Sequence, residues 1–284
     1  EFILGDIRNE DMVKHSLKNT SAVILLAGLV GDPITKKYPK EAEEINHKAI
    51  KNFINLCKNK NIDKLLFIST CSNYGLLKED EMADENYKLN PLSSYAKQKV
   101  EIENYLISLK DKVDFSATIL RFATAFGLSP RMRFDLTINH FTKAILEKES
   151  LNIYDENTWR PYCHVHDFAR LIEKILLAEK KKIYFQIFNA GSNENNFTKK
   201  SIIDTIVKII PSKNFTFEKS GIDKRNYKVN FNKVKNVLNF ETKYTIQDGI
   251  NEISEAMKLG LFDASKTKLD RLGNFKINLK WQTK

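Results

Sequence analysis

Three cysteines in 284 residues are too few for a disulfide framework. Stability must then come from a packed core, and a reducing, cytoplasmic compartment is expected. No stretch is long and apolar enough to cross a bilayer. The longest such run, 21–31, falls well short of the ~20 residues a spanning helix needs, so no membrane association is expected. No block of five or more like charges occurs, although the formal net charge is +10. Of the 46 basic residues only eight are arginine, and the other 38 are scattered lysines. Scattered lysine is solvated surface, so the charge does not call for nucleic acid as a partner. The rare arginines are the ones to follow. No repeat, linker or low-complexity segment divides the chain, and no signal peptide is evident.

What is present is a foldable composition. Hydrophobic residues make up 42% and charged residues 29%, enough for one large domain or two modest ones. The chain opens in Phe2-Ile3-Leu4-Gly5, which reads as a strand already under way. Residues 22–26 read as a buried strand ending at Ala27-Gly28. A helical stripe follows over 40–58: Ala42, Ile45, Ala49, Phe53 and Leu56. Residues 65–68 form another apolar run, closed by Ser69-Thr70-Cys71-Ser72. A second stripe over 93–109 carries Ile102, Tyr105, Leu106 and Leu109, and 116–120 is a further strand. Strands apolar on both faces, alternating with helices, predict an α/β fold: a Rossmann-like parallel sheet with helices on both faces. Right-handed crossovers then put ligands at the carboxyl ends of the strands. After Gly127 the rhythm loosens. Helices are expected near 135–147, 166–179, 198–210 and 245–258, with short strands near 151–154 and 184–188. This predicts a first unit over 1–127, with parts of 160–190, and a smaller mixed α/β lobe over 128–261. The polar stretch 262–284 reads as a peripheral tail.

The sharpest local signal is Tyr95-Ala96-Lys97-Gln98-Lys99. On a helix, Tyr95 and Lys99 share a face one turn apart. A nearby ammonium favours a phenolate, which makes the pair a candidate base for an alcohol proton. The pattern also arises by chance on surfaces, so its context matters. Thr70 ends a parallel strand, where its hydroxyl can donate and accept hydrogen bonds.

With these residues the chain resembles the extended short-chain dehydrogenase/reductase family, the NAD-dependent nucleotide-sugar epimerases and dehydratases. The resemblance runs in register nearly to Met257. Gly5-Asp6-Ile7 is similar to the family's third-strand end, and Leu26-Ala27-Gly28-Leu29 to its fourth-strand turn under the cofactor. Asn46 matches an asparagine near that turn. Ser69-Thr70-Cys71-Ser72-Asn73-Tyr74-Gly75 resembles the strand with the catalytic Ser/Thr. Arg121 to Gly127 resembles the turn into the substrate lobe, and Trp159-Arg160-Pro161-Tyr162-Cys163-His164-Val165-His166-Asp167 the R-x-Y-x-H-V-x-D segment. Phe188-Asn189-Ala190-Gly191 and Asp223-Lys224-Arg225-Asn226-Tyr227 complete the series. The resemblance implies catalytic Thr70, Tyr95 and Lys99, with Lys99 lowering the tyrosine pKa and binding the nicotinamide ribose. It implies cofactor contacts from Asp6, Ile7, Ala27, Gly28, Leu29, Asn46, Tyr95 and Lys99, to NAD or NADP. It implies substrate contacts from Thr124, Arg131, Arg133, Arg160 and Arg225 to a nucleotide-diphosphate sugar. Arginine forks suit phosphate better than a point charge. Between Arg131 and Arg133 the sequence does not choose, and Arg121 reads as structural. A homodimer built on helices 40–58 and 93–109 is also implied.

The sequence departs from the family in places. The glycine-rich G-x-x-G-x-x-G turn and the residue that chooses NAD or NADP are absent, so an N-terminally truncated chain that binds dinucleotide poorly is expected. Cys71 and Ser72 stand where 4,6-dehydratases carry Asp and Glu, which disfavours dehydration, and Cys71 reads as a packing residue. Thr124 replaces an asparagine of galactose 4-epimerase relatives. His164 and His166 share a face of an extended segment, but a substrate or structural role is expected over a metal, with Asp167 as the helix N-cap. Hydride transfer from the sugar C4 is therefore expected, giving an epimerase or 4-dehydrogenase of surface-polysaccharide synthesis. A 4-keto-sugar reductase using NADPH and a silent NAD(P)-binding sensor are the alternatives.

Overall fold

The computed structural model describes residues 1–58, 60–219, 225–262, 272–274 and 276–277. Its centre is a parallel four-stranded sheet, ordered Ala22–Leu25, Lys64–Thr70, Ser116–Phe122 and Gln186–Ala190. Period-two alternation explains why the strands are apolar throughout. Leu65, Phe67, Ala117 and Ile119 face one side, where Val13, Ile50, Ile54, Ile102 and Leu106 cover them. Leu66, Leu120 and Phe188 face the other, beneath Phe168, Leu171, Ile175 and Val234. Helices therefore bury both faces, as the alternation requires.

The run 22–26 is less buried than its composition suggests. Ala22–Leu25 is the edge of the sheet, and Ile24 and Leu26 are exposed. Residues 1–6 form no strand. They lie across a cavity from the edge strand Ala22–Leu25, whose ladder is with 64–67. Two helices follow the expected stripes closely. One runs from Pro39 through a π-helical stretch, Glu43–Ala49, into Ile50–Cys57. The other is Ser94–Ser108, capped by Ser93, whose hydroxyl oxygen accepts the Ala96 N–H at 3.2 Å.

Beyond Gly127 the helices Thr137–Leu146, Lys199–Ile209 and Ile246–Lys258 enclose a third core with the strands Leu151–Tyr154 and Trp159–His164. The helix Val165–Leu177 is capped by His164, not Asp167. His164 Nδ1 accepts the His166 N–H at 3.2 Å, and Nε2 donates to Glu252 at 2.6 Å. The ring is fully buried and stacks on Tyr244 at 4.5 Å. Asp167 instead accepts the N–H groups of Lys243 and Tyr244, both at 3.0 Å, and so pins the chain entering the last helix. Gly127 has φ +106°, and a Cβ there would sit 2.2 Å from His164 Nε2. No group of metal-ligating side chains occurs among the described residues. Most of 263–284 lies outside the described residues. The described part is docked: Leu272 is buried, its carbonyl accepts the Phe134 N–H at 2.8 Å, and Asn274 Nδ2 donates to the Val30 carbonyl at 2.8 Å.

A buried ion pair ties sheet to helix. Arg121, on Ser116–Phe122, donates from Nη2 to Glu103 Oε2 at 2.7 Å and from Nε to both carboxylate oxygens. Both side chains are almost fully buried. Arg121 is structural, as its sequence position implied. Glu103 also accepts from the Ser69 hydroxyl and, at 2.8 Å, from Asn73 Nδ2. Removing one partner strands a buried charge. Glu103→Ala is expected to cost about 3–5 kcal/mol in denaturant unfolding. The double variant Glu103→Leu/Arg121→Met should recover most of that loss, because neither charge is then left alone.

Candidate active site

Several chain segments meet where the sheet's carboxyl ends open. The first is the turn 27–29. Gly28 has φ +152°, a backbone that disfavours a side chain, and a Cβ there would meet Asn46 Oδ1 at 3.0 Å. Asn46 sits in the π-helical stretch and is nearly fully buried. Its Oδ1 accepts the Leu29 N–H at 2.7 Å, and its Nδ2 donates to the Leu29 carbonyl at 3.0 Å and to Gln98 at 3.2 Å. Asn46 thus shapes the turn. Short π stretches inside helices recur at functional sites. Gly5, Asp6, Ile7, Leu26 and Ala27 line one cavity of about 270 Å³ beside the edge strand. The Asp6 carboxylate is held below its usual range by its pair with Arg8 at 2.6 Å.

The second segment is the strand end at Thr70. Its hydroxyl oxygen accepts the Ser72 N–H at 3.1 Å, which fixes the side chain and leaves its proton to donate. Cys71 follows, fully buried, donating to the Arg121 carbonyl at 3.1 Å. Burial pushes its thiol far above the ordinary value, so it is an inert packing residue.

The third segment is the helix Ser94–Ser108. Tyr95 lies in its first turn and Lys99 one turn on, both buried. Lys99 Nζ donates to the Ile68 carbonyl at 2.7 Å and lies 5.8 Å from the Tyr95 ring centre. This bond fixes the helix along the strand that ends at Thr70. Among the described residues nothing hydrogen-bonds the Tyr95 hydroxyl. Burial pushes Lys99 down to about 8, opposed by the Glu103 charge. The expected lowering of Tyr95 by Lys99 is not found. Burial first, and then the Asp32 charge, push the phenol up, and the opposing cation is Arg133. Desolvation outweighs the neighbouring charges.

The arginines arrive on separate stretches: Arg131 and Arg133 between the strand Thr124–Phe126 and the helix Thr137–Leu146, Arg160 on Trp159–His164, and Arg225 further on. Arg133 forks onto Asp135 through two 2.6 Å bonds, and its charge reaches Tyr95. Arg131 turns away to Asn274 Oδ1 at 2.9 Å. Of the two, Arg133 is the one whose charge reaches Tyr95. Arg225 pairs with Asp32 at 2.7 Å and donates to the Ser72 hydroxyl at 3.3 Å. Arg160 is buried, donates to the carbonyls of Trp159 and Arg225, and lies 5.0 Å from the Tyr227 ring centre. These bonds brace the 225–227 segment. Thr124 is half-buried at the start of the strand Thr124–Phe126. Asp223 and Lys224 lie outside the described residues. Glu103 and Asp32 were not singled out in the sequence. Glu103 falls one turn after Lys99, which was the available signal; nothing local marked Asp32 as a neighbour of Tyr95.

The family model for the NAD dependent epimerase/dehydratase family matches residues 1–191. The chain belongs to that family. A UDP-glucuronate 4-epimerase of Thermodesulfobacterium geofontis is 27% identical over 257 residues, 88% of this chain and 77% of that protein. The crystal structure of a UDP-glucuronic acid 4-epimerase from Bacillus cereus, in complex with UDP-glucuronic acid and NAD, superposes with TM-score 0.82 at 25% identity. It covers 91% of this chain and 82% of that one. The dTDP-glucose 4,6-dehydratase DesIV from Streptomyces venezuelae shares the fold, with TM-score 0.83 at 17% identity over 94% of this chain and 82% of that one. No helix among the described residues is long and apolar enough to cross a membrane.

Lys99 gives this family member a measurable signature. Its folded pKa of about 8 lies below the ordinary 10.5. Between those values the unfolded chain holds more protons, so this group makes stability rise with pH from about 8 to 10.5. Below that window the buried ammonium is a constant cost. Lys99→Met is therefore expected to raise the unfolding midpoint at pH 7, with the gain shrinking as pH climbs toward 10. Denaturant titrations at several pH values check this.

Proposed function

We propose that the chain oxidises the C4 hydroxyl of a nucleotide-diphosphate sugar, with Thr70, Tyr95 and Lys99 as its catalytic residues. The observation that carries this is Tyr95: a buried phenol with no hydrogen-bond partner among the described residues, one turn from a buried lysine, on the helix fixed along the strand that ends at Thr70. Thr70 donates its fixed hydroxyl proton to the sugar oxygen, and Tyr95 removes the proton from the C4 hydroxyl. Tyr95 sits in the first turn of its helix, where the backbone dipole favours negative charge. Arg133 adds a cation nearby. Lys99 is held by the Ile68 carbonyl, which aims it at a ribose hydroxyl.

Asp6, Ile7, Ala27, Gly28, Leu29 and Asn46 fit a dinucleotide. The positive-φ glycine and the asparagine-braced turn allow close approach, and the cavity beside Asp6 suits a flat base. When bound, a nicotinamide supplies the acceptor for the C4 hydride. Arg225, Arg160 and Arg133 form the cationic side of the substrate site, and Arg225 is the arginine proposed for the diphosphate. Relatives bearing a 4-epimerase activity favour re-reduction at C4 as the outcome, in surface-polysaccharide synthesis. The inert Cys71 thiol leaves an elimination without its acid.

The partners are a nucleotide sugar and a second copy of the chain, docked through the helices 39–57 and 94–108; the compartment is the cytoplasm. Tyr95→Phe is expected to lower turnover of the sugar nucleotide by about 10²–10⁴-fold while leaving its binding unchanged. Turnover within a few-fold of the native chain would sink the mechanism. Light scattering should give twice the chain mass, and a clean monomer would remove the dimer.

A further inference from the structure

Gln98 lies between Tyr95 and Lys99 on the helix Ser94–Ser108, and it is buried. Its neighbour Lys99 ties that helix to the strand that ends at Thr70. Gln98 ties the same helix to a different element, the π-helical stretch Glu43–Ala49. Its Oε1 accepts from Asn46 Nδ2 at 3.2 Å, and its Nε2 donates to Glu43 Oε2 at 3.4 Å. Asn46 in turn holds both the N–H and the carbonyl of Leu29.

The order of donors and acceptors along this relay is forced from its outer end. An ionised carboxylate only accepts. The Glu43 carboxyl is held below its usual range, first by its hydrogen bond with His47 at 2.8 Å. Gln98 must therefore turn its NH2 toward Glu43 and its oxygen toward Asn46. Asn46 must then present its own NH2 to Gln98, which leaves Oδ1 for the Leu29 N–H. The turn has little slack, because Asn46 Oδ1 lies 3.0 Å from the Cβ position of Gly28. An apolar side chain in place of Gln98 would leave a buried Asn46 hydrogen without an acceptor, which is costly.

We propose that Gln98 is a positioning residue for the dinucleotide: through Asn46 it fixes the turn 27–29 relative to the helix that carries Tyr95 and Lys99. This rests on the cofactor reading above and deepens it. A hydride acceptor and a base must be held in one geometry, and here the segments that hold them are far apart in the chain. Lys99 sets the helix against the Thr70 strand, and Gln98 sets it against the cofactor turn.

The test compares the full chain with two variants. Gln98→Met keeps the length of the side chain without its amide. Gln98→Glu/Glu43→Gln moves the carboxylate inward and keeps an acceptor before Asn46. Without ligand, hydrogen exchange is read at the Leu29 amide, with the Ile119 amide of the central sheet as the reference for global opening. With ligand, NADH and NADPH are titrated by their own fluorescence, and UDP by calorimetry. Gln98→Met is expected to speed exchange at Leu29 by about tenfold and to weaken the dinucleotide by a similar factor, the effect of one buried donor left unpaired. Exchange at Ile119 and affinity for UDP should stay within a few-fold, and the double variant should restore Leu29 exchange and dinucleotide affinity. Unchanged exchange at Leu29, equal acceleration at Ile119, no rescue by the double variant, or a loosened turn with unchanged dinucleotide affinity would each overturn the role of Gln98 and leave the cofactor reading standing. A native chain that binds neither NADH nor NADPH would remove the dinucleotide reading, and this inference with it.

Discussion

The contact between Glu103 and Arg121 is the constraint on which the site depends. It joins the helix that carries Tyr95 and Lys99 to the centre of the sheet. The same carboxylate takes hydrogen bonds from Ser69 and Asn73, which bracket the turn after Thr70. Arg121 extends the network to the Tyr74 hydroxyl at 3.0 Å, and Tyr74 passes it to Asn189 at 2.7 Å. Four segments distant in sequence are therefore fixed by one charge pair. Buried ion pairs are poor sources of net stability, because desolvation consumes most of their attraction. This pair makes better sense as a device for position: it leaves the catalytic groups one arrangement in which every charge is matched.

A second theme is desolvation. Tyr95 and Lys99 are both buried, and burial pushes their pKa values in opposite directions, each toward the neutral form. Without ligand, the pair at neutral pH is a phenol beside an ammonium that burial has made easier to deprotonate. Positive charge arriving beside Tyr95 would relieve the burial penalty on the phenolate. The arginines are kept in the same state of readiness. Arg133 and Arg225 are held by aspartates that fix their direction.

Much of this was legible in the chain. The two helical stripes and the apolar strands fell within a few residues of their observed ends, because period 3.6 and period 2 are written directly into the order of side chains. Thr70, Tyr95 and Lys99 stood out through spacing and place. Other readings failed for reasons of neighbourhood. Phe2 to Gly5 has the composition of a strand but joins no ladder. Residues 22–26 are apolar, yet they edge the sheet. Asp167 looked like a cap, but His164, three residues earlier, takes that role because Glu252 holds its ring.

The sequence by itself determined the α/β architecture and the order of its elements, and it singled out Thr70, Tyr95 and Lys99 as the proposed trio. Each of these is encoded by local pattern. Only the tertiary structure showed that burial dominates the surroundings of Tyr95 and that the charges of Asp32 and Arg133 reach it. Those facts depend on distances between residues far apart in the chain and on how much water is excluded between them. Burial and through-space charge have no period, so no reading along the chain could supply them.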